Sequence, residues 1–144
     1  MNRQVNTTFC DDIRHEVNGK LSLIGVYSGQ MLVPSFPVIL PQLCLVIVVL
    51  TPVEQPFQKL ILRVLKDDTV LIEGEIPQTE LPKAGSTSVV NDGDTGAPGR
   101  LLSVQSQIVI SPFAVEGPCI LRVRVITEAG ELKGQGLGVQ LSPQ

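Results

Sequence analysis

Apolar and polar positions alternate with a period of two along most of this chain, the pattern of strands with one covered face. Leu102, Val104, Ile108 and Ile110 alternate with polar or oppositely facing residues over Arg100 to Ser111, and Cys119, Leu121, Val123 and Val125 do so over Cys119 to Thr127. Lys59 to Lys66 and Val70 to Ile76 form a second such pair, joined by an Asp67-Asp68 turn, and read as a hairpin. Gln4 to Phe9 predicts the first strand, and Asn18-Gly19 turns the chain into Lys20 to Ser28, since both turn residues tolerate positive φ. Gly25 and Gly29 mark a bulge or a close backbone approach. Leu43 to Leu50 is apolar at every position, as a strand covered on both faces would be.

Breaks in the pattern are as informative. Val33 to Pro41 carries three prolines, which excludes a central strand and leaves an extended edge or crossover. Pro82 to Gly99 holds four glycines among Ser, Thr, Asn and Asp, and predicts a long flexible loop. Leu132 to Leu141 reads as one last strand, with Leu137, Val139 and Leu141 inward and Gly134, Gly136 and Gly138 on the other face. Apolar stripes of helical period never exceed two turns, and Asp11 to Val17 allows one helical turn at most. The expectation is an all-β, antiparallel sandwich of about seven to nine strands, one domain over 1–144.

Composition narrows the function. With 43 % hydrophobic and 3 % aromatic residues, the core must be aliphatic. A net charge of −3 and no basic run argue against nucleic acid and a membrane surface as partners. The scarcity of aromatics removes a stacking platform for bases or sugars. The first residues contain no apolar signal core and the longest apolar run is too short for a spanning helix. A cytoplasmic location is expected, with a virion location open to a chain made without a signal.

Candidate chemistry is sparse. Cys10, Asp11, Asp12, Arg14, His15 and Glu16 form the densest polar cluster. In an extended strand Cys10 and His15 fall on opposite faces, which argues against a nucleophilic pair. Asp11, Asp12, His15 and Glu16 could share one ion only if the segment coiled. Caps and ion pairs are the ordinary work of such residues, with a recognition patch as the functional alternative. Asn91 to Gly96 places Asp92 and Asp94 in a calcium-like Asp-x-Asp without the downstream Glu of an EF-hand; it reads as a flexible Gly/Asp turn at Asp92-Gly93, with Asp92 and Asp94 as weak calcium candidates. Arg63, Arg122 and Arg124 with Glu73 and Glu75 are expected to share the outer face of one sheet, as a solvated charged face or a partner-binding one. The three cysteines read as buried thiols, and a Cys44–Cys119 bridge would need an oxidising compartment. Phosphate-loop, GxSxG, HExxH and paired Cys/His patterns are absent from the sequence, and no cofactor is expected.

Two resemblances add to this reading. The strand rhythm around Val115-Glu-Gly-Pro-Cys119 resembles an immunoglobulin-like sandwich, although it lacks the tryptophan and the corner tyrosine. Phe9-Cys-Asp-Asp-Ile-Arg-x-Glu16, Gly19-Lys20, Ser22-x-Ile-Gly-Val-Tyr27, Leu40-Pro-x-Leu-Cys44 and Pro56-Phe57 resemble a family of small uncharacterised proteins of bacteria and their prophages. That resemblance implies a similar sandwich and points to a phage-related structural or accessory role. The functional expectation is a non-enzymatic binding or assembly module, acting on a protein partner or as a homo-oligomer. Candidate partner-binding residues are Asp11, Asp12, Arg14, His15, Glu16, Arg122 and Arg124, with self-association through an edge made of Met31 to Leu40 and the last strand. The alternative is a small enzyme or metal-dependent module built on Cys10 to Glu16.

Overall fold

The computed structural model describes residues 2–83, 89–91 and 100–143. Among them are thirteen strands: β1 (Gln4–His15), β2 (Leu21–Val26), β3 (Gln30–Val33), β4 (Val38–Leu40), β5 (Leu43–Pro52), β6 (Leu60–Lys66), β7 (Thr69–Glu75), β8 (Val89–Asn91), β9 (Arg100–Ile110), β10 (Phe113–Val115), β11 (Cys119–Thr127), β12 (Gly130–Lys133) and β13 (Leu137–Leu141). The protein is all-β. The count exceeds the seven to nine expected because short strands form where single strands or loops were predicted.

One sheet runs β2-β1-β5-β9-β8 and a second runs β3-β13-β11-β6-β7, with β12 also paired to β11; β4 and β10 form a separate ribbon. β3 adds to β13 in the one parallel pairing among the described strands.

The core lies between the two sheets. Val5 and Phe9 of β1 and Leu43, Leu45, Ile47 and Val49 of β5 meet Leu60, Leu62 and Val64 of β6 and Leu121, Val123 and Val125 of β11. Full burial of each such side chain stabilises by about 1.5–3 kcal/mol. β5 is buried at eight of its ten positions, so it is covered on its outer face as well as in the core.

Several expectations are corrected. β1 continues six residues past Phe9, carrying the polar cluster in a strand rather than a helical turn. The predicted last strand is two, β12 and β13, because Gly134 and Gly136 mark close crossings. A Cβ on Gly136 would sit 2.6 Å from the Leu121 carbonyl oxygen, and one on Gly134 2.7 Å from Thr7 Cγ2. Leu141 at the end of β13 is exposed. β13 lies between β3 and β11, and Met31 and Val33 of β3 are buried, so the last strand is not an edge open for self-association. Part of the predicted 82–99 loop is strand β8, paired with β9; most of the remainder, with Asp92 and Asp94, lies outside the described residues.

An ion pair between the buried Arg3 side chain and the partly exposed Glu128 ties the two sheets together at one end. Arg3, just before β1, places Nη1 2.5 Å from Glu128 Oε2 in the β11–β12 turn. It stacks 4.5 Å over the Phe57 ring and donates from Nε to Thr51 Oγ1 at 2.9 Å. Nη1 lacks an aligned acceptor, yet the adjacent carboxylate meets its charge. Burial pushes the Glu128 carboxyl up, but backbone N–H groups of Gln58 and Lys59 and the Arg3 guanidinium outweigh it and hold the group below its ordinary value.

Two outcomes follow. Gly136→Ala should cost about 1–3 kcal/mol in denaturant unfolding, whereas Gly74→Ala, which meets open space, should be nearly neutral. Glu128→Gln should cost about 2 kcal/mol near neutral pH, the scale of hydrogen bonds to a charged group. A lowered folded pKa gives stability that is present above the ordinary value of 4.5 and lost as pH falls through the folded one. The gap between wild type and Glu128→Gln should therefore narrow in unfolding curves recorded below that pH.

Candidate functional site

The register of β1 sorts the polar cluster onto two faces. Cys10 stands opposite Cys44 on β5 and Val26 on β2, and Asp12 opposite Ile24. Asp11, Ile13 and His15 take the other face, on the side of Phe9 and the sandwich interior. The six polar residues of the Cys10 to Glu16 segment therefore do not make one patch.

Asp11 is the centre of the most organised part. The Tyr27 hydroxyl donates to Asp11 Oδ1 in a short hydrogen bond. The other carboxylate oxygen packs on Gly25, where any side chain would collide with it; Gly25 also has φ +69°, which favours glycine. Gln42, leading into β5, donates from Nε2 to the Asp11 carbonyl at 3.1 Å and to Asp12 Oδ1 at 2.9 Å. The Ile13 N–H donates to the same Asp12 oxygen at 2.9 Å. Asp11, Tyr27, Leu40, Pro41 and Gln42 line an open cavity of about 300 Å³. Burial, then the hydrogen bond and charge of Asp11, push the Tyr27 phenol up to about 12.

The neighbouring thiols are disarmed. Cys10 and Cys44 are directly opposed and almost wholly buried. Burial pushes both up, Cys10 further by Cys44 and Asp11, Cys44 by Asp12 and Asp11. The Cys44 Sγ lies 3.7 Å from the Asp11 carbonyl, to which it donates. Protonated, buried thiols are poor nucleophiles. Cys44 and Cys119 lie on different sheets and are not placed for the bridge that an oxidising compartment would allow. Cys119 opposes Val139 and packs in the core, while Cys44 faces outward from the other sheet. All three cysteines are free.

Of the remaining candidates, Glu16, Arg122 and Arg124 brace the scaffold. Glu16 accepts from Ser22 Oγ at 2.7 Å and its N–H bonds the Lys20 carbonyl, closing the Asn18-Gly19 turn. Arg14 and His15 are exposed. Arg122 donates to the Asp67 carbonyl at 2.9 Å and lies 3.7 Å from Asp68; Arg124 lies 3.8 Å from Glu131. Arg63 pairs with Glu73 at 2.5 Å. These exposed pairs on the outer face of the second sheet contribute modestly, about 0.2–1 kcal/mol each. Among the described residues, no group of three or more His, Cys, Asp or Glu is placed to hold a metal ion, and no helix is long and apolar enough to cross a membrane.

The residues first overlooked are Tyr27, Gln42 and the pairing of Cys10 with Cys44. The fold brings Phe9 to Glu16, Ser22 to Tyr27 and Leu40 to Cys44 together around Asp11. Residues 6–95 match the model of DUF6941, a family of unknown function, and the chain belongs to that family. Neither curated proteins nor solved structures gave a significant match.

Tyr27 is the chain's one tyrosine, so its phenolate can be titrated by absorbance without overlap. Asp11→Asn removes a charge that opposes ionisation, and should move the Tyr27 midpoint from about 12 toward the ordinary 10. An unmoved midpoint would mean that the two groups do not interact in solution.

Proposed function

We propose that this protein is a non-enzymatic binding and assembly module, with the Asp11–Tyr27–Gln42 cleft as its recognition site. One observation carries this reading. Three segments far apart in sequence meet at a braced cleft where the Tyr27 hydroxyl and the Gln42 amide donate to the Asp11 and Asp12 oxygens, beside thiols that burial keeps protonated. Such a surface recognises a partner by charge, hydrogen bonding and the Leu40-Pro41 wall, and holds no activated nucleophile. The resemblance of the strand rhythm to an immunoglobulin-like sandwich supports this reading by analogy, since a rigid sandwich can present such a surface. A phage- or prophage-related structural role, and a cytoplasmic or virion location, rest on the resemblance of the Phe9 to Tyr27 motif alone.

The competing reading is a small enzyme or metal-dependent module using Cys10 to Glu16. It requires a reactive Cys10 or an ion held by Asp11, Asp12, His15 and Glu16, which the strand spreads over two faces.

The test joins two measurements on the full chain. Immobilised wild type should retain a specific partner from a lysate of its host, and isosteric Asp11→Asn should retain much less. Native Cys10 should alkylate far more slowly than in the unfolded chain. Fast native alkylation, or equal capture by both baits, would contradict the proposal.

A further inference from the structure

The side chains that line the Asp11 cleft have used up their hydrogen-bond donors within the protein. The Tyr27 hydroxyl gives its one hydrogen to Asp11 Oδ1. The Gln42 amide gives both of its hydrogens, one to the Asp11 carbonyl at 3.1 Å and one to Asp12 Oδ1 at 2.9 Å. A phenol has one hydrogen and an amide nitrogen two, so neither side chain has a donor left. What they still present is oxygen. Gln42 Oε1, the Tyr27 hydroxyl oxygen and the Asp11 carboxylate belong to residues that line one open cavity of about 300 Å³, with Leu40 and Pro41 as its apolar wall. The carboxylate is held from both sides, by Tyr27 at one oxygen and by Gly25 against the other. It also lacks a counter-charge. Among the described residues Arg3, Arg63, Arg122 and Arg124 pair with Glu128, Glu73, Asp68 and Glu131, and no cationic side chain pairs with Asp11.

We infer that this cleft takes the side chain of a lysine on a partner protein, with the ammonium among the oxygens and the methylene stem along Leu40 and Pro41. The inference rests on the recognition role proposed above and names the group recognised. An ammonium has three hydrogens to give and no acceptor, which is what a lining of acceptors around one fixed carboxylate calls for. An anion would meet no free donor on these side chains. A guanidinium binds a carboxylate best as a planar fork across both oxygens. Here one oxygen is engaged by Tyr27 and the other lies against Gly25, so the compact ammonium is the better fit. The Tyr27 phenol, pushed up to about 12, stays protonated near neutral pH and keeps its hydrogen on Asp11 instead of adding a second negative charge. The volume lies at the lower end for a ligand pocket, room for one long side chain and not for a cofactor. Lysine covers apolar surface with its stem while its head stays among polar groups; a short free amine would leave the Leu40-Pro41 wall bare. Because the carboxylate is already ordered, binding gives up little further side-chain freedom.

Short Gly/Ser peptides with one central residue varied test this on the full chain. Tyr27 is the one tyrosine and tryptophan is absent, so tyrosine fluorescence reports on the cleft alone, and backbone amide shifts locate the binding. The lysine peptide should shift the amides of Asp11, Tyr27 and Gln42. It should bind about tenfold more tightly, or better, than the norleucine, acetyl-lysine or glutamate peptide, with the arginine peptide in between. Asp11→Asn should lose the same factor, and added salt should weaken the lysine peptide. Lysine and acetyl-lysine peptides that bind alike, a lysine peptide that shifts amides elsewhere, or equal binding to wild type and Asp11→Asn would each overturn the inference. So would tighter binding of butylammonium than of the lysine peptide, which would make the ligand a free amine. Should Asp11→Asn unfold, the lysine and acetyl-lysine peptides compared on wild type decide the matter alone. The recognition role is judged separately: Asp11-dependent capture of a partner from a lysate whose lysines have been acetylated would keep that role and overturn the lysine.

Discussion

The structure depends on one strand whose two faces are both covered. β5 carries Leu43, Leu45, Ile47 and Val49 into the core and Cys44 and Val46 into the opposite face, all nearly inaccessible. A strand of this kind has no polar face to tell it which side is in. Its orientation must come from its neighbours, and β1 supplies it by pairing Gln4 through Cys10 with Leu50 through Cys44. Because side chains alternate, a slip of one residue would exchange every inward and outward position of β1. Val5 and Phe9 would leave the core, and Asp12 would replace Asp11 beneath Tyr27.

That register explains why the polar cluster of β1 has two characters. Asp11 reaches the end of the sandwich interior, where Tyr27, Gly25 and Gln42 can close on it. Cys10 and Asp12 belong to the outer sheet face, where Cys10 completes an apolar row with Cys44. Residues adjacent in sequence thus serve two surfaces, and residues some thirty positions apart serve the same one. The Arg3–Glu128 pair anchors the start of the same strand to the other sheet.

Much of the architecture could be read from the sequence because it follows from local alternation. The β6–β7 hairpin, β9, β11 and the Asn18-Gly19 turn, with φ +64° and +73°, stand where turn chemistry and period two place them. What failed involved contacts between distant segments. Gly134 and Gly136 look like a weak strand face until the Leu121 carbonyl and Thr7 are seen against them. Charged residues hid the continuation of β1, because a strand at the end of a sandwich is free to carry Asp, Arg and His on both faces. Arg3 gave no pattern at all, as its partner lies 125 residues away, in the β11–β12 turn. For the candidate site, which side chains converge depends on register, and register is not a local property.

The register of β1 on β5 is therefore the central claim, and cross-strand nuclear Overhauser contacts measure it directly. The account predicts backbone contacts linking Cys10 to Cys44, Thr8 to Val46 and Asn6 to Val48, with Cys10 also linked to Val26. A pattern displaced by one residue, with Phe9 or Asp11 opposite Cys44, would contradict it and take the Asp11–Tyr27 cleft with it.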